Sequence, residues 1–171
     1  MRRAFAVLGT AIFLVLAPGT VAGLVPWWIT RWHVQSPAMA RLPVRLAGSF
    51  LVAAGIVVVL DSFARFALKG LGTPAPVFPT QHLVVSGFYR YVRNPMYVAV
   101  MSVIFGQALI FGSVALLGYA VVPWLAAHAF VVAYEEPKLR ASFGAEYTAF
   151  CAAVPPWIPR LTPWQGPVGT G

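Results

Sequence analysis

One uninterrupted apolar run, from Met96 to Tyr134, constrains the fold of this chain more than any other feature. The run contains no Asp, Glu, Lys or Arg. As a single helix it would be roughly 58 Å long at 1.5 Å per residue, about twice the thickness of the hydrocarbon core of a bilayer. It must therefore fold back on itself, and Gly112 and Ser113 near its middle mark the reversal. The sequence predicts a tight transmembrane hairpin whose two ends lie at the same membrane face.

Two further apolar runs extend this prediction. Of the 171 residues, 60% are hydrophobic and 9% are charged, which leaves too little polar surface to cover a water-soluble globule. Ala4 to Ile29 is long enough for a first span, with a cleaved signal peptide ending near Ala22 as the alternative. Val44 to Leu60 is the second span. We expect an all-α polytopic membrane bundle of about four transmembrane helices, plus a C-terminal cytosolic amphipathic helix that starts after Pro137.

The distribution of charge orients this bundle. The net charge of +8, from twelve basic and four acidic residues, suits an anionic membrane leaflet, and no basic stripe with interleaved aromatics indicates nucleic acid. With both termini in the cytosol, more basic residues fall on the inner side, as the positive-inside rule favours. We therefore expect an integral protein of a bacterial inner membrane. The inner set is Arg2, Arg3, Arg65, Lys69, Arg90, Arg93, Lys138, Arg140 and Arg160, and the outer set is Arg31, Arg41 and Arg45.

Cysteine and histidine give no sign of a metal site. Cys151 has no second thiol with which to form a disulfide or share a metal. His33, His82 and His128 lie on separate segments without neighbours at ligand spacing. We expect His128 to be a hydrogen-bonded packing residue of the fourth span, with a role as a base as the alternative.

Composition divides the chain into three segments. Residues 1–69 form a two-span region, near whose end Asp61 is expected at the membrane boundary beside Arg65. Residues 70–159 form a core that contains the hairpin. Residues 160–171 form a tail, and the chain from Pro155 onward is rich in Pro and Gly, which predicts an extended, partly disordered segment.

Residues that could bind a ligand or take part in a reaction are concentrated in Ser86 to Tyr97, where the third span begins. Asn94 can cap a helix, and Pro95 fits the first helical position. Arg93 stands beside the free N–H groups and the positive dipole end of that helix. This corner is therefore suited to bind a carboxylate or a phosphate.

The aromatic residues of the same segment allow two interpretations. If helical geometry extends backward from the third span, Tyr89, Arg93 and Tyr97 share one face. Gly87 would then allow a positive φ or a close approach of the backbone to a ligand. The alternative is that Arg90 and Arg93 are interfacial anchors among an aromatic belt at the lipid headgroups.

Two adjacent carboxylates, Glu135 and Glu136, follow the fourth span, and the hairpin brings them back to the face that carries Arg93. Adjacent carboxylates at a membrane boundary are costly, so a partner is expected. Glu136 could pair with Arg140 at i, i+4 on a surface helix, or it could take part in a ligand site.

These motifs together resemble the isoprenylcysteine carboxyl methyltransferase and phospholipid methyltransferase superfamily. The resemblance covers about half of the chain and rests on an Arg-X-Pro-X-Tyr box, an apolar hairpin and a Glu-Glu pair in that order. It implies a pocket for S-adenosylmethionine at the cytosolic ends of the last two spans, closed by the C-terminal helix, with a lipophilic acceptor arriving from the bilayer. The segments that carry it are Leu83 to Tyr97, Glu135 to Leu139, Phe143 to Tyr147, and Val154 with Pro155.

The resemblance also implies roles for individual residues. Arg93, Asn94 and the helix start at Pro95 would bind the cofactor's carboxylate, and Glu136 with Glu135 would bind its ammonium group or ribose hydroxyls. Arg93 and Glu136 are the predicted catalytic residues, and no metal is expected. The full predicted cofactor set is His82, Leu83, Gly87, Tyr89, Arg90, Arg93, Asn94, Pro95, Tyr97, Glu135, Glu136 and Leu139.

The methyl acceptor stays open at this point. Asn94 replaces the histidine of the Arg-His-Pro form. Pro156 stands where many members carry arginine, and Ala153 stands where the prenylcysteine enzymes carry a basic residue, which weighs against a prenylcysteine carboxylate. A lipid amine, another isoprenoid carboxylate, a small thiol and a quinone-like phenol all remain candidates. A membrane sterol or ene reductase that uses NADPH and a non-enzymatic membrane carrier are the alternative functions.

Overall fold

The structure is a computed structural model that describes residues 2–65, 83 and 85–166. Its regular elements are all helical, as the sequence predicts, and no strand occurs among these residues. Short helices are the π-helical turns Thr20–Leu24 and Val131–Glu135 and the 3-10 turn Gly87–Arg90. The α-helices are α1 (Arg2–Leu16), α2 (Val25–Thr30), α3 (Leu42–Arg65), α4 (Pro95–Phe111), α5 (Val114–Phe130) and α6 (Glu136–Ala153).

Several of these helices are long and apolar enough to cross a bilayer. Three helical stretches meet that requirement among the described residues: Ala11–Thr30, Leu42–Arg65 and Val114–Ala153. The apolar helix Pro95–Phe111 is shorter, with 17 residues, or roughly 25 Å at 1.5 Å per residue. The predicted all-α membrane architecture is confirmed, and the total of four spans stays a prediction.

The hairpin reverses where the sequence predicts. Gly112 ends α4 in the left-handed region (φ 59°), and the hydroxyl of Ser113 accepts a hydrogen bond from the Leu116 N–H at 3.3 Å. A Cβ on Gly112 would lie 2.5 Å from the Ser36 carbonyl oxygen, so the loop before α3 packs directly on the turn. We call this turn the tip of the hairpin, and Pro95 with Glu135 its base.

Helices α3 and α4 pack against each other over small residues. A Cβ on Gly48 would lie 2.6 Å from the Gly106 carbonyl oxygen, and the reverse distance is also 2.6 Å. Near the base, a Cβ on Gly55 would lie 2.8 Å from the Ala99 carbonyl oxygen. Such close approach of backbones is how membrane helices gain packing contacts. It fixes α3 against the helix that begins at Pro95.

The first span changes direction in its middle. Near the tip, the Gln107 side-chain N–H donates to the Ala22 carbonyl at 2.7 Å, and the Tyr119 hydroxyl donates to the Val21 carbonyl at 2.9 Å. Towards the base, Phe13 of α1 stacks on Phe63 of α3 with ring centroids 6.1 Å apart. The first span therefore contacts the hairpin near the tip and contacts α3 towards the base.

The predicted C-terminal helix is present, but it does not begin after a break at Pro137. Helix continues from Val114 to Ala153 through the π-helical turn Val131–Glu135. A proline inside a helix lacks an N–H and clashes with the preceding turn, and the wider π-helical turn just before Pro137 accommodates it. The break comes later, at Gly144 (φ 48°, ψ −117°).

Residues 155–166, which we call the C-terminal strap, run back across the base of the hairpin. The Arg93 N–H donates to the Pro155 carbonyl at 2.9 Å, and the Arg160 N–H donates to the Tyr91 carbonyl at 2.9 Å. The expectation of partial disorder is therefore wrong for the strap, because its carbonyls and N–H groups find partners on the polar loop before α4. The residues after Gly166 lie outside the described part, and the division into three segments stays a prediction.

Candidate functional site

The start of α4 forms one wall of the site at the base of the hairpin. Pro95 occupies the first turn, as predicted. Asn94 does not cap the helix, since its side chain makes no capping hydrogen bond. Its amide N–H instead donates to the Pro156 carbonyl at 3.0 Å. The Asn94 side chain therefore binds the strap and not the start of α4, where the sequence predicted its hydrogen bond.

The hairpin brings Arg93 and Glu136 into direct contact. The Arg93 Nη1 atom donates to Glu136 Oε1 at 2.9 Å, and the two side chains are only 13% and 21% exposed. The same Nη1 atom lies 2.8 Å from Cys151 Sγ. The second oxygen of Glu136 is 3.9 Å from Arg140 Nη2, so the alternative i, i+4 pair also exists, but it is longer and half exposed at the arginine. The predicted contact between Arg93 and Glu136 is confirmed.

Arg93 also carries a donor that the protein leaves unused. Its Nε atom is buried and has no hydrogen-bond partner in the described part of the chain. A buried donor without a partner costs about 1–3 kcal/mol, so such groups are rare unless something else binds them. The Nη1 side of the guanidinium is held by the protein, and the Nε edge is the one suited to a ligand carboxylate.

Glu135 lies beside this pair and is held from α4. The Tyr97 hydroxyl donates to Glu135 Oε2 at 3.2 Å. Trp157 of the strap packs against Tyr97, with ring centroids 6.4 Å apart. Trp157 was missed in the sequence because it lies in a segment expected to be partly disordered, and its only signal was its aromatic character among prolines.

His128 extends this aromatic cluster along α5. Its ring stacks on Trp124 at 5.6 Å with an interplanar angle of 10°, and it meets Trp157 at 5.7 Å. The structure thus gives His128 stacking partners. Its predicted hydrogen bond is not seen among the described residues.

Tyr89 reaches the site differently from the prediction. Asn94 has φ −117° and ψ 55°, so helical geometry does not extend back from α4, and Tyr89, Arg93 and Tyr97 do not share a helix face. Tyr89 instead lies on the 3-10 turn and is buried, at 7% exposure. Burial, together with the charge of Glu135, raises the pKa of the Tyr89 hydroxyl, which therefore stays protonated at any physiological pH.

Gly87 is needed for a reason internal to the protein. It has φ 60°, as the sequence allowed, but the space beside it is filled by Arg65 rather than by a ligand. A Cβ on Gly87 would lie 2.1 Å from Arg65 Nε. Arg65 is fixed by two hydrogen bonds to Asp61, at 2.6 and 2.8 Å, and by one to Ser86 at 3.1 Å. The expected boundary pair of Asp61 and Arg65 is confirmed, and it supports the polar loop from α3.

Replacement of Gly87 with Ala is therefore expected to destabilise the loop, by about 1–2 kcal/mol for the left-handed backbone alone and further through displacement of Arg65. Thermal unfolding in detergent measures the loss. Gly166→Ala is the matched control, because Gly166 has φ 84° but nothing within 4 Å of its Cβ position. Equal shifts for the two variants would contradict a role for the Arg65 contact.

The remaining predicted residues are Arg90, Leu83, Leu139 and His82. Arg90 binds the strap, since its Nε atom donates to the Trp164 carbonyl and its own carbonyl accepts from the Trp164 N–H. Leu83 and Leu139 pack in one apolar cluster with the buried residues Tyr147, Phe150 and Val154. His82 lies outside the described residues. Within residues 2–65, 83 and 85–166, no group of three His, Cys, Asp or Glu side chains could hold a metal ion.

An apolar groove of about 380 Å³ opens beside Tyr97, between the first span and the hairpin. Tyr97 is thus shared by the groove and by the carboxylate site, because its hydroxyl binds Glu135. Sequence patterns could not reveal this groove, since its walls are ordinary apolar span residues. The lining residues are Phe13, Ala17, Pro18, Val21, Met96, Tyr97, Val100, Met101, Pro123, Ala126, Ala127 and Phe130.

Comparison with known proteins agrees with this geometry. Residues 44–146, more than half of the chain, match the sequence model of the phospholipid methyltransferase family. The matched region begins in α3 and ends in α6, so it contains the hairpin, Arg93 and Glu136. No curated protein matches the chain.

Proposed function

Because this chain belongs to the phospholipid methyltransferase family, we propose that it transfers a methyl group from S-adenosylmethionine to a lipophilic acceptor at the cytosolic face of a membrane. One observation supports the proposal independently of family membership. The base of the hairpin joins Arg93 to Glu136, and the buried Arg93 Nε atom has no partner among residues 2–65, 83 and 85–166. An arginine beside two carboxylates is complementary to a zwitterion, and the cofactor's amino acid end is one.

The residues present fit the charges of the cofactor. The free edge of Arg93 can bind its carboxylate, since guanidinium and carboxylate form short, charge-assisted hydrogen bonds. Glu136 and Glu135 can bind its ammonium group or ribose hydroxyls. The ring of Tyr97, whose hydroxyl binds Glu135, and the ring of Trp157 packed against it can offer π faces to a cation. When bound, S-adenosylmethionine supplies an electrophilic methyl group on a sulfonium.

The protein's own contribution is alignment and exclusion of water. A methyl transfer needs no covalent enzyme intermediate, so the rate gain comes from holding nucleophile and methyl in line and from removing solvent. Arg93 and Glu136 would fix the cofactor's amino acid end. The strap covers the base through the Arg93 and Asn94 bonds to Pro155 and Pro156, which limits access of water from that side.

We further propose that both termini are cytosolic. The base of the hairpin, the end of α3 and the strap lie together, and these parts carry Arg65, Arg90, Arg93 and Arg160. The loop between the first span and α3 carries Arg31 and Arg41, and the first turn of α3 carries Arg45. An excess of basic residues marks the cytosolic side of membrane proteins.

A thermal-shift titration in detergent tests the proposed activity against its alternatives. S-adenosylhomocysteine is expected to stabilise the protein by about 2.7 kcal/mol at a hundredfold excess over its Kd. NADPH should have no effect, because the reductase alternative is the one that predicts NADPH binding. Stabilisation by NADPH alone would favour a reductase, and stabilisation by neither compound would favour a carrier.

A further inference from the structure

The groove beside Tyr97 follows from the shape of the first span. Pro18 and the π-helical turn Thr20–Leu24 interrupt that span. After this turn, α2 continues towards the tip and packs against the hairpin. On the other side of the interruption, Phe13 stacks on Phe63 of α3. The span and the hairpin therefore diverge towards the base, and the wedge between them is the groove.

The groove is closed at its end nearest the tip. Pro26 has no N–H, so backbone carbonyls of the π-helical turn just before it lack an intrahelical donor. Gln107 and Tyr119 bind two of them, those of Ala22 and Val21, at 2.7 and 2.9 Å. We call these two hydrogen bonds the clasp. Since Val21 is itself a lining residue, the clasp ties the first span to the hairpin at the point where the groove ends.

The length of the groove is limited by this closure. On α5 the lining runs from Pro123 to Phe130, or about 10 Å at 1.5 Å per residue, and on the first span from Phe13 to Val21, or about 12 Å. Half of a bilayer's hydrocarbon core is about 15 Å thick. An extended acyl chain that fills a leaflet would therefore run past the clasp.

The other end of the groove has a defined polarity. Tyr97 supplies the only side-chain hydroxyl among the lining residues, and that hydroxyl donates to Glu135. Arg93, the basic side chain beside Glu135 and Glu136, is paired with Glu136. A carboxylate placed at the Tyr97 end would face the Glu135 carboxylate, and like charges repel strongly away from water. A group that donates a hydrogen bond is complementary in charge to this end.

We propose that this groove binds the apolar part of a compact methyl acceptor whose nucleophile is an amine or a phenol, and that the clasp sets the maximum length of that part. The proposal rests on the proposed methyltransferase function and names its acceptor class. The groove and the carboxylate site share Tyr97, so an acceptor that lies in the groove with its polar end at Tyr97 would present that end beside Glu135.

The atoms and electrons of the methyl transfer balance with the acceptor, the cofactor and Glu135 alone. A bond forms between the acceptor nitrogen or oxygen and the methyl carbon, while the bond from that carbon to sulfur breaks and its electron pair stays on sulfur. The proton of the acceptor passes to a Glu135 carboxylate oxygen and from there to water. A carboxylate acceptor would have no proton to lose, so its methylation would not need a base at this position.

The test uses the full chain in nanodiscs of dioleoylphosphatidylcholine, with labelled S-adenosylmethionine and a set of acceptors. We expect octylamine or 4-butylphenol to be methylated with a kcat/KM at least roughly tenfold above that of oleylamine, since a chain too long for a pocket loses binding. Octanoate should not be methylated. Preference for octanoate, for oleylamine or for added dioleoylphosphatidylethanolamine would overturn the proposal.

Groove variants separate this inference from the proposed function. Ala127→Phe fills the groove and should lower kcat/KM for the compact acceptor by roughly tenfold or more, with binding of S-adenosylhomocysteine unchanged. Ala129→Phe, a change of the same size at an exposed position outside the lining, is the matched control. Equal activity of the two variants would contradict the groove.

The clasp is tested with Gln107→Ala, which should raise the relative rate with oleylamine because the closed end is opened. An unchanged chain-length preference would contradict the role of the clasp. Absence of S-adenosylhomocysteine binding to the unmodified protein would instead refute the methyltransferase itself, so the two failures are distinguishable.

Discussion

Arg93→Ala is expected to weaken binding of S-adenosylhomocysteine by roughly 100-fold or more, equivalent to about 2.7 kcal/mol. The variant loses the buried guanidinium that the cofactor's carboxylate requires, and it leaves Glu136 without its 2.9 Å partner. Glu136→Ala should have a comparable effect, because the ammonium group then loses its counter-charge. Isothermal titration calorimetry in detergent measures both losses, with gel filtration to establish that each variant remains folded.

Two further variants make this result specific. Arg93→Lys keeps the charge but not the forked geometry, so it should recover only part of the affinity. Arg140→Ala removes the more distant partner of Glu136, which is half exposed at 3.9 Å, and should change binding by less than about threefold. A loss in Arg140→Ala as large as that in Arg93→Ala would mean that general charge, rather than the buried pair, governs binding.

Gly106→Val is expected to cause the largest loss of stability, well above the 1–3 kcal/mol typical of an overpacked core. A Cβ at this position would lie 2.6 Å from the Gly48 carbonyl oxygen and 3.0 Å from the Val52 backbone nitrogen. Both are backbone atoms, so no side-chain rotation relieves the contact, and α3 must move away from α4. Because α3 carries Arg65, this movement should also loosen the polar loop at the base.

Gly118→Val is the control for this prediction. Gly118 lies in α5 with nothing within 4 Å of its Cβ position, so the same substitution adds volume on an exposed face. Thermal unfolding of the two variants in the same detergent should show a much lower midpoint for Gly106→Val only. Similar midpoints would contradict the close packing of α3 on α4.

The sequence sufficed to predict the helical architecture because membrane spans obey a length rule. The run from Met96 to Tyr134 is too long for one span, and its reversal at Gly112 follows from that alone. The C-terminal part was predicted less well. Pro137 indicated a helix boundary by its usual effect, but the π-helical turn before it keeps the helix continuous, and such turns have no local sequence signature.

The contact of Arg93 with Glu136 was also predictable, since it needs only the hairpin and the positions of the charges. The orientation of individual side chains was not. Asn94 binds the strap and not its own helix, and Gly87 makes room for Arg65. Both outcomes depend on segments distant in sequence, and a local pattern carries no information about which distant group competes for a hydrogen bond.

The strap and the groove show a second reason why the sequence did not predict the whole structure. Prolines suggested disorder from Pro155 onward, yet Trp157 packs between Tyr97 and His128 because the base offers it rings to pack against. The groove arises from the direction in which the first span leaves the hairpin, which no apolar sequence specifies by itself.

The most direct test of the central claim compares two ligands that differ only in their amino acid end. S-adenosylhomocysteine carries the carboxylate and the ammonium group, and 5′-methylthioadenosine carries neither. The unmodified protein should prefer S-adenosylhomocysteine by roughly 100-fold, and Arg93→Ala should abolish most of that preference while binding methylthioadenosine as before. A variant that keeps the full preference would show that the corner formed by Arg93 and Glu136 does not bind the cofactor.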